Sequence, residues 1–237
     1  MTAFHTHTLA PGHFLLSCDG HGEARWFDPS WRQQHAVQQG EALGRGNSQI
    51  LRIGDTTVVL RHYLRGGIIA RLNRDKYLWQ GLKDTRPYRE LTLLLKLRDM
   101  GLSVPNPVAG RVLRRGFWYT ADIMTEYIAD SLTLDQWLMS RQISMDLWQR
   151  IGATIATFHR AGLDHVDLNI RNILIDSHKQ VYLIDFDRCQ LRDPDSHWQH
   201  GNLERLSRSL YKLGHYTPWQ WQQLMHGYRQ PASLHRT

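Results

Sequence analysis

The chain has 237 residues, 41% of them hydrophobic and 22% charged, which suits one folded domain or two small lobes. Its formal net charge of +7 would attract polyanions, whether nucleic acid, anionic lipid headgroups or a phosphorylated substrate, and does not decide among them. The sequence contains no apolar run of the roughly 18 residues that a membrane-spanning helix needs, and residues 1–10 lack the basic start of a secretory signal, so we expect the protein in the cytoplasm or on the cytoplasmic side of a membrane.

The first half of the chain is predicted to hold mostly strands. The first forty residues show little periodicity apart from a helix start at Asp28-Pro29-Ser30. A glycine-rich turn follows over residues 40–47. Alternating and β-branched residues then predict four strands, over 49–53, 56–61, 108–113 and 117–127. Leucines at helical spacing predict one helix between them, over residues 87–100.

From about residue 129 the pattern becomes mainly helical. Helices are predicted over 134–139, over 145–161 and in the tail from residue 198. Two short apolar runs, 173–175 and 181–184, can pair as a hairpin. This order predicts an α+β fold with an N-terminal lobe (1–128) of antiparallel sheet plus one helix and a reduced, mainly helical C-terminal lobe (129–237).

Three polar residues around that hairpin are the candidates for chemistry. Asp167 and Asn172 bracket the loop before the first apolar run, and Asp185 follows the second run. Pairing of the runs would bring Asn172 and Asp185 to one end of the hairpin, where an amide oxygen and a carboxylate are suited to Mg²⁺. Asp167, a few residues away, could orient an attacking hydroxyl and take its proton.

This pattern resembles that of protein-kinase-like enzymes. Their motif H-x-D-x-x-x-x-N followed by D-F is matched by His165, Asp167 and Asn172, and then by Asp185-Phe186. The resemblance implies ATP and Mg²⁺ as cofactors, Asp167 as the catalytic base, and Asn172 and Asp185 as metal ligands. His165 is expected to brace the loop rather than to transfer protons.

The resemblance also implies a nucleotide clamp in the first lobe. Backbone N–H groups of a glycine-rich turn can cover phosphates, here at Gly44, Arg45 and Gly46. Arg61 stands in the place of the kinase strand lysine, and Glu90 on the following helix is its expected ion-pair partner. Glu126 and Tyr127 occupy the hinge position, which is expected to contact adenine.

The sequence departs from that of protein kinases in two ways, and the second departure favours a small acceptor. Arg61 replaces the usual lysine, although a guanidinium also binds phosphate and stays charged. Asp187 replaces the glycine of D-F-G, and neither an A-P-E motif nor a long activation segment follows. The short remainder of the chain leaves little room for a platform that binds peptide substrates.

More specifically, the sequence resembles the 3-deoxy-D-manno-octulosonic acid (Kdo) kinase family, which is related to the lipopolysaccharide core heptose kinases. Segments that carry the resemblance include LRHYLRGG at 60–67, DKYLW at 75–79 and LIDFDR at 183–188. It spans residues 25–215 and implies transfer of the ATP γ-phosphoryl group to the 4-OH of a Kdo residue on Kdo-lipid A. It also implies a peripheral protein on the cytoplasmic face of the inner membrane of a Gram-negative bacterium.

The composition agrees with such an anionic, lipid-linked acceptor. Nine tryptophans and an excess of cations suit contact with an anionic membrane surface. The candidates for binding the acceptor carboxylate or a lipid phosphate are Arg65, Arg71, Arg74 and Lys76.

Other functions remain open from the sequence. An aminoglycoside or choline kinase-like enzyme would use the same motifs. A non-catalytic pseudokinase scaffold is a weaker alternative, because Asp167, Asn172 and Asp185 are all present. A nucleic-acid partner is suggested by charge alone, and since no recognition motif supports it, we expect none.

Overall fold

The computed structural model describes residues 4–18, 22–41, 48–65, 75–140 and 142–230. The chain divides into two compact units. The first comprises Met1–Asp99 and Pro105–Tyr127, and the second comprises Met100–Val104 and Ile128–Thr237. Some residues singled out in the sequence lie outside the described ranges, namely Gly44, Arg45, Gly46, Arg71 and Arg74.

The first unit is built on an eight-stranded sheet whose described strands pair antiparallel. Its strands are β1 (Phe4–Ala10), β2 (His13–Cys18), β3 (Ala36–Glu41), β4 (Ser48–Ile53), β5 (Thr56–His62), β6 (Tyr77–Leu78), β7 (Pro107–Arg115) and β8 (Trp118–Glu126). Seven strands lie in the order β1-β2-β7-β8-β5-β4-β3, and β6 pairs with the start of β8. Since β5 lies between β4 and β8, the backbone of Arg61 is held on both sides, opposite Ser48 and Ile123.

Helices α1 (Pro29–His35) and α2 (Arg86–Asp99) belong to the same unit. Asp28 caps α1, since its Oδ1 accepts the N–H of Ser30 at 2.9 Å. Helix α2 buries its leucine-rich face, and Gly110 of β7 allows the helix to come close to the sheet. A Cβ at Gly110 would lie 3.0 Å from the Cβ of Pro87, closer than side chains normally pack.

The second unit is mainly helical. Its helices are α3 (Leu134–Ser140), α4 (Met145–Arg160), α5 (Ser196–Lys212) and α6 (Pro218–Arg229), and its short strands are β9 (Leu132–Thr133), β10 (Leu163–Asp164), β11 (Ile173–Ile175), β12 (Val181–Leu183) and β13 (Gln190–Leu191). Strand β11 pairs with both β12 and β9. Helices α4 and α6 touch through glycines: a Cβ on Gly152 would lie 1.9 Å from the carbonyl oxygen of Leu224, and one on Gly227 would lie 1.9 Å from that of Gln149.

Elements with a strong apolar pattern lie where the sequence predicts them. The helices predicted over 87–100, 134–139 and 145–161 are α2, α3 and α4, and the hairpin of apolar runs is β11–β12. The first forty residues, which show little periodicity, nevertheless form β1, β2 and most of β3. Strand β1 lies at the sheet edge with most side chains exposed, so that no apolar alternation marks it. Within the described ranges, no helix is both long and apolar enough to cross a membrane.

Candidate active site

Arg61 is held by a buried carboxylate in the first unit. Its Nη2 lies 2.5 Å from Oε1 of Glu90, a residue of α2 that is only 4% exposed. The hydroxyl of Tyr63 donates to Oε2 of the same carboxylate at 2.7 Å. The guanidinium also lies over the ring of Tyr63, 4.8 Å from its centroid. The predicted pairing of Arg61 with Glu90 is therefore present, and Tyr63 is a further partner that the motif does not reveal.

The segment that ends β8 is fixed by its own backbone hydrogen bonds. The N–H of Glu126 donates to the carbonyl of Asn106 at 2.8 Å, and the N–H of Tyr127 donates to the carbonyl of Thr57 at 2.9 Å. The amide of Asn106 also donates to Oε2 of Glu126 at 2.5 Å. These two backbone N–H groups are thus used within the first unit.

The loop around Asp167 is held through its main chain. The side-chain amides of Asn169 and Asn172 both donate to the carbonyl oxygen of Asp167, at 2.8 and 2.9 Å. Backbone hydrogen bonds close two turns around Asp167. The N–H of Leu168 donates to the carbonyl of His165 at 3.1 Å, and the N–H of Asn172 donates to the carbonyl of Asn169 at 3.0 Å. The side-chain nitrogen of Asn172 donates to this loop, so the Oδ1 of the same amide faces away from the carbonyl oxygen of Asp167.

The β11–β12 hairpin brings the two candidate metal ligands to one end. Ile173 pairs with Leu183, and one step further the N–H of Ile184 donates to the carbonyl of Asn172 at 3.1 Å. Asp185 follows directly and has a φ of 63°, a left-handed conformation that is uncommon for residues other than glycine. A strained backbone of this kind is typical of functional sites.

The donor set at this end suits a hard cation. An amide oxygen from Asn172 and a carboxylate from Asp185 are the oxygen ligands that Mg²⁺ takes from protein in phosphoryl-transfer sites, where phosphate and water oxygens complete the shell. Among the described residues there is no group of three or more His, Cys, Asp or Glu side chains that could hold a metal ion.

His165 packs inside the second unit. It is 1% exposed, its Nε2 lies 3.0 Å from the carbonyl oxygen of Ile184, and its ring centroid is 5.4 Å from that of Phe186. The backbone N–H of His165 donates to Oδ1 of Asn202 at 2.8 Å. Burial lowers the pKa of His165, so the neutral imidazole donates from Nε2 to the carbonyl. These contacts join the two ends of the motif and support the bracing role.

Two buried aspartates support the same loop, and the sequence analysis did not single them out. Asp135 of α3 accepts from Nε of Arg171 at 2.9 Å and lies 3.3 Å from Nε2 of His215. Asp164 of β10 accepts from the amide of Asn202 at 2.8 Å and forms an ion pair with an arginine after β13, Arg192, at 3.1 Å. The only sequence signal is an asparagine at a core position of α5.

The described acceptor candidates, Arg65 and Lys76, flank a buried tyrosine. The guanidinium of Arg65 lies 5.1 Å from the ring centroid of Tyr77, and Arg86, at the start of α2, lies 4.4 Å from the same centroid. Lys76 is exposed. Arg86 therefore joins Arg65 in one cationic cluster, although no sequence motif marks it.

A charged network on β5, β7 and β8 adjoins Arg61 in the chain. Nδ1 of His62 lies 2.7 Å from Oδ1 of Asp122, whose Oδ2 accepts from Nε of Arg111 at 2.9 Å. Asp75 lies 3.6 Å from the other nitrogen of His62. The hydrogen bond with Asp122 raises the pKa of His62. Burial alone would raise the pKa of Asp122, but His62 and Arg111 outweigh it and hold that pKa below its ordinary value.

The sequence matches one family model over most of its length. Residues 29–228 match the lipopolysaccharide kinase (Kdo/WaaP) family. The chain belongs to this family. The predictions of family and of a sugar-kinase enzyme are thereby confirmed.

Curated proteins of the same family align with most of this chain. Proteins named 3-deoxy-D-manno-octulosonic acid kinase are 41% identical in Vibrio vulnificus strain CMCP6 over 190 residues (80% of each chain) and 42% identical in Vibrio cholerae over 185 residues (78% of each). The Stenotrophomonas maltophilia protein of that name is 43% identical over 192 residues, which is 81% of this chain and 76% of that one.

The chain shares its fold with a solved structure that is described as WaaP in complex with acyl carrier protein. The TM-score is 0.54 at 20% identity, and the match covers 82% of this chain and 80% of that one. At this identity the likeness shows the fold alone. Together with the antiparallel sheet and six α-helices described above, it confirms the predicted protein-kinase-like fold class.

Proposed function

We propose that this protein transfers the γ-phosphoryl group of ATP to the 4-OH of a Kdo residue on Kdo-lipid A, a step in lipopolysaccharide core assembly. The observation that carries the proposal is the register of β11 and β12, which brings Asn172 and Asp185 to one end of a hairpin whose preceding loop holds Asp167. Relatives at about 40% identity that are named for this acceptor supply the substrate class.

In the second unit, each candidate has a distinct role. Asp167 accepts the proton of the sugar hydroxyl while the hydroxyl oxygen attacks the γ-phosphorus of ATP. The bond between the γ-phosphorus and the oxygen that remains on ADP breaks. Asn172 and Asp185 would hold Mg²⁺, which would supply positive charge to neutralise the phosphates. His165 keeps the loop and the Asp185 segment in register through the carbonyl of Ile184.

In the first unit, Arg61 is the phosphate-binding cation. The buried carboxylate of Glu90 holds its guanidinium in place, so that less conformational entropy is lost when a phosphate binds. The glycine-rich turn containing Gly44, Arg45 and Gly46 would add backbone N–H donors. Glu126 and Tyr127 would contact adenine through groups other than their own N–H, since both N–H groups bond to carbonyls of the same unit.

The acceptor is anionic, and the first unit offers cations for it. Arg65 and Lys76 are the described candidates, with Arg71 and Arg74 as the others from the sequence, and the Tyr77 cluster adds Arg86. An acceptor anchored in a leaflet requires the enzyme to work at the membrane surface, so we place it peripherally on the cytoplasmic face of the inner membrane.

The decisive assay follows phosphate transfer from Mg·ATP with the purified chain. Kdo-lipid A, an aminoglycoside and choline are offered as separate acceptors, and the phosphorylated position is determined by NMR. We expect product with Kdo-lipid A alone, carrying phosphate at the 4-OH. Transfer to choline or the aminoglycoside instead would overturn the acceptor assignment, and the absence of transfer to any acceptor would favour a non-catalytic scaffold.

A further inference from the structure

One end of the sheet exposes a group of apolar side chains. Phe117, in the turn between β7 and β8, is 80% exposed, and Trp118, which begins β8, is 41% exposed. Leu78 of β6 is 52% exposed and pairs directly with Trp118 across the strands. Single exposed apolar residues are ordinary on protein surfaces, but three adjacent ones call for a partner. We call Leu78, Phe117 and Trp118, with Arg114 and Arg115, the hairpin tip.

The hairpin tip is preorganised rather than loose. Nε of Arg114 donates to the carbonyl of Gly116 at 3.0 Å, which closes the turn, and Gly116 has a φ of 62°. The N–H of Trp79 donates to the carbonyl of Phe117 at 2.9 Å. The neighbouring turn between β1 and β2 supports it as well, because the carbonyl of Gly12 accepts the N–H of Arg114 at 2.7 Å.

A layer of packed aromatic rings lies behind the exposed ones. Trp79 stacks on Phe14 with centroids 5.7 Å apart and meets Tyr119 edge-on at 6.2 Å. The guanidinium of Arg114 lies over Trp79, 4.9 Å from its centroid. Tyr119 is buried and Phe14 and Trp79 are half-buried, whereas Phe117 and Trp118 remain exposed. Packing of the first unit therefore does not account for the exposed pair.

The β7–β8 segment that forms most of the hairpin tip carries charge of one sign. Arg114 and Arg115 are both exposed and directly precede Gly116, and the sequence from residue 110 to residue 121 contains no acidic residue. Apolar rings combined with arginines are the side chains that bind an anionic bilayer, since the rings enter the headgroup region and the cations meet lipid phosphates.

We infer that the hairpin tip is the surface by which this protein docks on an anionic lipid bilayer. Three apolar side chains are too few for the roughly 800 Å² per partner of a stable protein interface, whereas a bilayer accepts a small group of apolar side chains without needing a matching shape. The inference rests on the proposed function for its reason, since the acceptor lies in a leaflet. Its own content is the identity of the docking residues.

The test is co-sedimentation of the full chain with protein-free vesicles. Vesicles of phosphatidylcholine alone and of phosphatidylcholine with phosphatidylglycerol are compared for the parent and for F117S/W118S. We expect the parent to prefer the anionic vesicles and the double variant to bind them about tenfold or more weakly, because two large apolar side chains no longer enter the bilayer. Arg115→Gln should weaken binding to the anionic vesicles about fivefold and leave binding to neutral ones unchanged.

Controls separate docking from folding and from catalysis. Met139→Ser removes an apolar side chain of the second unit that is 76% exposed, and it should bind vesicles like the parent. Equal melting temperatures of all variants establish that they fold. Phosphorylation of a water-soluble Kdo acceptor without acyl chains should be equal in F117S/W118S and the parent, while phosphorylation of bilayer-embedded Kdo-lipid A should fall in the double variant.

The outcomes of the two proposals can be told apart. If F117S/W118S sediments with anionic vesicles as strongly as the parent, the hairpin tip is not the docking surface. If the parent ignores both kinds of vesicle, the tip serves a protein partner or none, and the lipid inference is overturned. If vesicle binding follows the expected order but no Kdo acceptor is phosphorylated, the docking inference stands and the proposed acceptor fails.

Discussion

At the scale of single residues, the loop around Asp167 is held through the main chain. The amides of Asn169 and Asn172 bond to the carbonyl oxygen of Asp167, and His165 joins the loop to the carbonyl of Ile184. A change confined to the carboxylate therefore keeps these contacts, which allows catalysis and folding to be measured separately.

Asp167→Asn should lower the rate of phosphate transfer about a hundredfold or more, because the amide cannot accept the hydroxyl proton. The melting temperature of the variant is measured alongside the rate to show that it folds. Asp146→Asn changes an exposed aspartate in the first turn of α4 and serves as the matched control, with parental activity expected. Parental activity of Asp167→Asn would exclude this residue as the base.

Tyr63→Phe isolates the second partner of the Glu90 carboxylate. The ring is 2% exposed and stays in place, while the buried carboxylate loses a hydrogen bond of 2.7 Å. We expect unfolding in urea to require about 1–3 kcal/mol less free energy, and the Michaelis constant for ATP to rise because Arg61 is held less firmly. Tyr88→Phe removes a hydroxyl from a half-buried ring on α2, the helix that carries Glu90. This control should change neither the unfolding free energy nor the Michaelis constant for ATP. An unchanged stability of Tyr63→Phe would mean that this hydrogen bond contributes nothing.

At the scale of elements, the closest contact between α4 and α6 is made by backbone. A Cβ at Gly152 or Gly227 would overlap a carbonyl oxygen of the facing helix, and backbone cannot swing away as a flexible side chain can. The two helices can cross at this distance only while both positions remain glycine.

Gly152→Ala should therefore destabilise the second unit by about 2 kcal/mol or more, because the helices must separate. Gly201→Ala provides the matched control within α5, where a Cβ would meet nothing within 4 Å. It should stabilise the protein by up to about 1 kcal/mol, since alanine is the better helix former. Urea unfolding measures both, and equal effects of the two substitutions would contradict the close helix contact.

The contrast between predicted and missed elements has a physical reason. Helix α4 and the β11–β12 hairpin bury apolar residues at regular spacing, so their positions follow from the sequence. Strand β1 buries little and is held by backbone pairing with β2, which leaves no periodic signal. Strands of two residues, such as β6, exist only because the surrounding fold supplies a partner.

The candidate site divides along the same line. Local motifs predict Asp167, Asn172 and Asp185 as site residues, and they predict the pairing of Arg61 with Glu90 that the structure contains. The supporting carboxylates Asp135 and Asp164 depend on contacts between residues far apart in the chain, and Tyr63 depends on the register of α2 against the sheet. Such contacts can be read only from the folded chain.

At the scale of the whole molecule, histidines give the two units different responses to pH. In the second unit, burial lowers the pKa of His159 to about 4, and it lowers the pKa of His165 as well. In the first unit, the hydrogen bond with Asp122 raises the pKa of His62. The contribution of His62 is complete below the ordinary histidine pKa and is lost as pH rises through its raised folded value, whereas the neutral histidines favour the folded state as pH rises.

Acidification from about pH 7 to about pH 5 should therefore destabilise the second unit. His159 binds a proton in the unfolded chain over this range, whereas in the folded unit its pKa is about 4 and it stays neutral. The loss from His159 reaches about 3 kcal/mol once the pH has fallen to about 4. His159→Gln should flatten the pH dependence of urea unfolding, because the group whose pKa burial lowers to about 4 is then missing. A slope identical to that of the parent in His159→Gln would refute the assignment.

The left-handed backbone at Asp185 has an evolutionary consequence. With a φ of 63°, the position admits glycine, asparagine and aspartate at little steric cost and disfavours β-branched or bulky residues. Descendants of this gene that lost phosphoryl transfer would therefore drift first to asparagine or glycine at this position, since other replacements also disturb the chain trace. An asparagine or a glycine at this position in an otherwise intact homologue would therefore indicate that the homologue has lost phosphoryl transfer.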